Sequence, residues 1–162
     1  MLIREIADDD WVQVWPFFDE IVAEGETYAY SAALTSETAR ELWVQRPPGS
    51  TIVAVDVTGR VLGSAKAGPN RPGPGSHVAT ASFMVDGAAR GRGVGRALGE
   101  HVLDWARRAG FLAMQFNAVV ETNLPAVTLW RSLGFDVVGT VPQAFDHPEH
   151  GYVGLHVMHR YL

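Results

Sequence analysis

The segment Arg90-Gly-Arg-Gly-Val-Gly-Arg96 puts three glycines and three arginines in seven consecutive residues, directly before a helical pattern. A helix N-terminus carries backbone amides with no intrahelical partner, and the helix dipole adds positive potential there. Glycines let an anion approach those amides without a Cβ in the way, and arginines add bidentate contacts. The junction is suited to phosphate and demands a strand-turn-helix unit. In the helix that follows, Val94, Ala97, Leu98, His101, Val102, Trp105 and Ala109 form one apolar stripe, with Arg92, Arg96, Glu100, Asp104, Arg107 and Arg108 off it.

Spacing narrows the phosphate. A dinucleotide turn needs G-x-G-x-x-G; the Gly91-Gly93 pair meets Arg96 at the third glycine, and the Gly93-Gly95 pair meets Leu98. A nucleotide P-loop needs G-K-[ST] opening the helix, and that tripeptide does not occur. With 13 basic against 18 acidic residues the chain carries −5, which argues against nucleic acid as partner. An acyl-CoA pyrophosphate and a plain tight turn with solvated arginines remain.

The rest of the chain reads as one domain over residues 1–162, in the order β-α-α-β-β-β-α-β-α-β-β. Leu2–Ile6 is a strand. Asp8 is the expected cap of a helix running to Glu24, which Pro16 should kink or split. A second helix runs from Ser36 to Gln45. A hairpin turns at Thr58-Gly59, and Gly68–Ser76 is a mobile connection. Strands follow at His77–Val85 and Phe111–Val120, then a helix at Leu124–Leu133. Two closing strands, Phe135–Val141 and Tyr152–Arg160, flank the loop Pro142–Gly151. Hairpins followed by a β-α-β crossover make a mixed, mostly antiparallel sheet, not a doubly wound parallel one. No apolar run is long enough to span a bilayer, and the start is no signal peptide. The absence of cysteine excludes disulfides, thiolate metal sites and a cysteine nucleophile, and fits a cytoplasmic protein.

Arg90-Gly-Arg-Gly-Val-Gly95 matches [QR]-x-x-G-x-[GA], the pyrophosphate turn of the GNAT superfamily of N-acetyltransferases, which the sequence resembles. Asn123 to Phe135 is similar to the family's N-x-x-A-x-x-L-Y-x-x-x-G-F signature, and the element order agrees along essentially the whole chain. The resemblance implies the GNAT-like acyl-CoA fold and direct transfer of an acetyl group from acetyl-CoA, as co-substrate, to an amine. It implies that Phe83, Met84 and Val85 pair with the pantetheine arm, a backbone amide there polarising the thioester. Arg90, Gly91, Arg92, Gly93, Val94, Gly95 and Arg96 would cradle the pyrophosphate. Asn123, Ala126 and Trp130 would flank the cofactor.

Two places depart from the family. Its tyrosine is Trp130 here, and an indole N–H is no usable acid. Either Trp130 only packs, or water or another hydroxyl protonates the thiolate; Tyr28, Tyr30 and Tyr152 are the available phenols. The N-terminal half loosely resembles the phosphinothricin-type branch, which acetylates small amino-acid-like amines, but that branch's glutamate falls at Ala81. Glu121 is the substitute base, with a water-mediated base as the alternative. Glu26, Tyr28 and Tyr152 are the expected substrate contacts, Glu24, Glu26, Asp146 and Glu149 supplying an acidic surround. Asp146-His-Pro-Glu-His150 suggests a metal, but Pro148 denies it helical ligand spacing, so no metal is expected. The expected partner is a small-molecule amine, with neither nucleic acid nor membrane, and a homodimer is allowed. A peptide or protein acetyltransferase and a non-enzymatic acyl-CoA-binding module are the other readings.

Overall fold

The computed structural model describes residues 1–162. Its elements are β1 (Leu2–Glu5), α1 (Trp11–Glu24), α2 (Ser36–Trp43), β2 (Ser50–Val55), β3 (Val61–Pro69), β4 (Val78–Val85), α3 (Val94–Arg108), β5 (Ala113–Val120), α4 (Leu124–Ser132), β6 (Asp136–His147) and β7 (Gly151–Tyr161). The seven strands form one sheet in the order β1-β2-β3-β4-β5-β7-β6. Only β4 and β5 run parallel, joined through α3 as the crossover. The mixed, mostly antiparallel α/β architecture is the expected one.

Strand alternation divides the core between two faces. Ile52, Ala54, Ala65 and Ala67 face α3 and α4, against Leu98, Val102, Ala106 and Trp130. Val53, Val55, Val61 and Met84 face α1 and α2, against Trp11, Val14, Phe18 and Trp43.

Three local expectations are corrected. Pro16 lies inside α1 without splitting it, so of the expected kink or split the split is the part corrected. The carbonyl that loses its partner belongs to exposed Val12, which water reaches, while Val14, Phe17, Phe18, Ile21 and Val22 bury on the other side. The buried face of α3 is rotated from the expected stripe: Gly99, Leu103 and Ala106 are buried where Ala97, His101 and Trp105 were expected to be. Gly99 is the cause. A Cβ there would stand 2.8 Å from Leu133 and 3.2 Å from Trp130, so its absence lets the last turn of α4 settle against that face. The expected loop at Pro142–Gly151 is mostly strand, because β6 continues to His147 across a register shift between Val141 and Phe145. Gln143 takes φ 53° at that bulge, and Phe145 returns inward against Val120 and Val153.

Asp8–Asp10 form a short 3-10 turn before α1, and the anchoring carboxylate is that of Asp10, not Asp8. Asp10 accepts the Ala7 N–H at 2.7 Å and both Arg4 guanidinium nitrogens, at 2.5 and 2.8 Å, which ties the start of α1 to β1. The Arg4 hydrogen bond holds the Asp10 carboxyl below its ordinary 3.8. A depressed pKa stabilises the fold above the unfolded-state value and loses that contribution as the pH falls through the folded one. Asp10→Asn should cost about 2 kcal/mol in urea unfolding at neutral pH. The gap to wild type should close as the pH drops below 3.8.

Candidate active site

Strands β4 and β5 pair only at Val78–Ala113 and Ala79–Met114, and then part. Beneath the parting lie three rings: Trp130 stands 4.7 Å from Phe83 and 4.9 Å from Phe116, with Phe83 and Phe116 5.8 Å apart. Trp130 is therefore a buried core ring, 7 % exposed, and its indole offers no acid. A β5 irregularity between Phe116 and Val119, against β7, adds local twist.

The glycine-rich turn stands beyond the C-terminal end of β4. Gly93 adopts φ +77°, a left-handed backbone that side chains disfavour, and α3 starts at the next residue. The Ala97 N–H bonds the Gly93 carbonyl, which leaves the amides of Val94, Gly95 and Arg96 at the open end of the helix. Val94 buries its side chain and anchors the turn. Arg90 lies 3.4 Å from Glu24, and Arg96 donates to Ser132 Oγ at 2.7 Å, whereas Arg92 makes no ion pair. Two of the three arginines are thus tethered at the rim.

Just past β4, the Asp86 N–H bonds Leu62 of β3, while Phe83 turns its polar groups away. Tyr28 Oη donates to the Phe83 carbonyl at 2.6 Å and accepts the Phe83 N–H at 3.0 Å. Tyr28 also stacks on Tyr30, with centroids 5.4 Å apart, and meets Trp43 edge-on at 6.2 Å. Burial pushes this phenol far above its ordinary pKa of 10. By alternation Val85 shares the orientation of Phe83, and Met84 faces β3, its side chain buried among α1 and α2 residues.

At the far side of the parting, Asn123 caps α4: its Oδ1 accepts the Ala126 N–H at 3.2 Å. Beside it, Thr122 Oγ1 is buried with no hydrogen-bond partner. Glu121 accepts the Gly154 N–H through Oε1, joining β5 to β7, and its Oε2 makes no hydrogen bond. Glu26 is exposed after α1, and Tyr152 is exposed on the β6–β7 hairpin opposite Asp146.

A cleft of about 610 Å³ opens along the N-terminal half of β4. Thr80, Ala81 and Ser82 line it from β4, with Gln45, Arg46, Pro48 and Gly49 and the segment Pro69–Pro72 also lining it. Arg46, Lys66 and Arg71 line it, and no carboxylate does. None of the three makes an ion pair; Lys66 Nζ donates to the Leu42 carbonyl at 2.8 Å and lies over the Tyr30 and Trp43 rings. The residues expected to form an acidic surround, Glu24, Glu26, Asp146 and Glu149, do not line this cleft, and neither do Glu121 and Tyr152. The three cations escaped notice in the sequence because they are far apart along the chain. The one available signal was Lys66, a lone charge in an otherwise uncharged strand.

Residues 4–135 match the acetyltransferase (GNAT) family. The chain belongs to that family. It is an acetyl-CoA-dependent acyltransferase, with acetyl-CoA as co-substrate. A GCN5-related N-acetyltransferase structure from Kribbella flavida is 65% identical, with a TM-score of 0.98 over 99% of this chain and 97% of that one. The Salmonella typhimurium acetyltransferase yncA, solved with acetyl-CoA, is 25% identical, with a TM-score of 0.84 over 100% of this chain and 94% of that one. Among curated proteins, N-acetyltransferase aca1 of Schizosaccharomyces pombe is 28% identical over 87% of this chain and 75% of its own length. An L-methionine sulfoximine/L-methionine sulfone acetyltransferase of Pseudomonas aeruginosa is 36% identical over 57% of this chain and 54% of its own length.

Gly95 offers the cleanest probe of the turn, since a Cβ there meets only ordinary contacts, at 3.4 Å from Leu129 and 3.8 Å from Val85. Gly95→Glu should leave the melting temperature nearly unchanged while abolishing acetyl-CoA binding in calorimetry. Retained affinity in a folded variant would remove the pyrophosphate from this turn.

Proposed function

We propose that the enzyme acetylates the primary amine of a small, negatively charged, amino-acid-like acceptor by direct attack on acetyl-CoA. The observation that carries this reading is the cleft with three cations and no carboxylate, on the strand whose other end meets the phosphate turn. In an acidic protein, uncompensated cations in a cleft select an anionic group and repel polyamines. Two loops flank the cleft, which suits a small molecule better than an extended peptide. The Pseudomonas relative's acceptors are amino-acid analogues by its name.

In this reading the amides of Arg90 to Arg96 hold the pyrophosphate, with Arg92 free to pair with it. The arm runs back along β4 past Val85 towards Phe83, and Asn123 and Ala126 flank it from α4. Trp130 and Met84 serve through packing, shaping the floor of the parting. The acceptor's anion sits among Arg46, Lys66 and Arg71, so its amine enters from Thr80–Ser82. That places the anion one to three strand positions from Phe83, on the order of 3–10 Å, a span suited to a carboxylate and an amine on one small molecule. The amine lone pair attacks the thioester carbon, the sulfur leaves with the bond pair, and the nitrogen gives up a proton. Glu121 takes that proton through Oε2.

A free-CoA release assay tests the acceptor. Amino acids should outperform their methyl esters and spermidine, and Arg71→Ala should raise KM for the acids about tenfold, a single charge-assisted contact, with kcat retained. Equal rates for acid and ester would reject an anionic acceptor. For the base, Glu121→Gln should lower kcat severely and remove the acidic limb of its pH profile. An unchanged profile would confine Glu121 to its bond with Gly154.

A further inference from the structure

Lys66 is the only lysine in the chain; every other basic side chain is arginine. The one side-chain amine of the protein therefore lies in the cleft on β4, where it shares the lining with Arg46 and Arg71 and with no carboxylate. Its Nζ donates to the Leu42 carbonyl at 2.8 Å and stands 5.4 Å from the Trp43 ring centre and 5.7 Å from that of Tyr30. Lys66 pairs with Ser82 across β3 and β4, and Phe83, where the proposed path of the donor ends, is the next residue. Strand β4 is one strand spacing away, about 4.8 Å, within the length of a four-carbon stem. Ser82, the side chain that the stem must cross, is small and lines the same cleft. Arginine would supply the charge equally well. A guanidinium keeps its proton and takes no acyl group, whereas a lysine amine is open to acetylation.

We propose that Lys66 is a self-acetylation site: an enzyme molecule holding acetyl-CoA and no acceptor transfers the acetyl group to its own Lys66 Nζ. This rests on the donor lying along β4 as described above. The ammonium first gives a proton to solvent in the open cleft. The Nζ lone pair then adds to the thioester carbon, forming the C–N bond while the carbonyl π pair moves onto oxygen. Collapse re-forms the carbonyl and breaks the C–S bond, the pair leaving on sulfur. The nitrogen gives up a second proton and solvent protonates the thiolate, so the products are acetyl-Lys66, CoA and one net proton.

The product changes the cleft. Acetylation removes a charge, and with it the cation over the two rings. Arg46 and Arg71 are left to hold an anion, and an anionic acceptor binds less tightly. Bound acceptor keeps Lys66 on its anion and presents its own amine to the thioester, which confines the modification to enzyme short of acceptor. The device is a brake, set by the ratio of acetyl-CoA to acceptor.

The test is mass spectrometry of wild type incubated with acetyl-CoA alone, with the modified peptide mapped. Expected is one acetyl group on Lys66, gained at least about tenfold faster than on the N-terminal amine, because only Lys66 is held beside the donor. The rate should not depend on protein concentration. Gly95→Glu, which leaves the donor unbound, should reduce it to that of the N-terminal amine. Acetylated wild type should show a KM for amino acids raised about tenfold, the loss of one charge-assisted contact, with kcat retained. Lys66→Arg should take up no acetyl group at this position and hold whatever activity it starts with through the same incubation. Lys66 left unmodified in wild type that binds acetyl-CoA overturns the proposal, as does a rate that matches the N-terminal amine or scales with protein concentration. Modification that leaves KM unmoved overturns the brake. Equal turnover of amino acids and methyl esters would overturn the anionic acceptor, while acetyl-Lys66 in the spectra would still uphold the site. Wild type failing to bind acetyl-CoA would overturn the donor placement and this proposal together.

Discussion

Two register positions, Val78–Ala113 and Ala79–Met114, are all that hold the parallel strands β4 and β5 together, and the site depends on their parting. A continued ladder would bury the outward amides of β4 in β5 and leave nothing for a donor to pair with. The aromatic group of Phe83, Phe116 and Trp130 fills the space beneath the gap, which keeps the opening a groove with a dry floor. The residue at the family's tyrosine position has thus become part of the floor.

Strand β4 then has a polarity. Its C-terminal end leads into the turn whose amides and arginines favour phosphate, and its N-terminal half floors a cleft lined by three unpaired cations. Between these two positive regions lies Phe83, its backbone held by Tyr28. In the proposed reaction the negative ends of donor and acceptor are anchored apart, so the thioester and the amine meet in the least charged part of the groove. An amine there is easier to deprotonate than in water, because neighbouring cations and partial desolvation both disfavour its charged form.

The element order and the crossover were legible in the chain because each rests on local signals: the glycine-rich junction, the helical stripes and the hairpin turn. So was the family, from residues within two motifs. The misreadings share a cause. Pro16 in α1, the rotated buried face of α3 and the extension of β6 were each decided by packing partners distant in sequence. Gly99 shows this best: as a lone residue it lowers helix propensity, yet it is the contact that admits Leu133 and Trp130.

By itself the sequence determined that a turn suited to phosphate opens α3, because free amides, glycines and a helix dipole are properties of contiguous residues. It also determined that no cysteine can carry the acyl group. Only the tertiary structure decided what lines the cleft on β4. Arg46, Lys66 and Arg71 come from three separate segments and gather only when loops fold over β4. Tyr28, from the α1–α2 connection, reaches Phe83 across 55 positions of chain. Hydrogen bonds and fields depend on distance in space, and no periodicity along the chain records them.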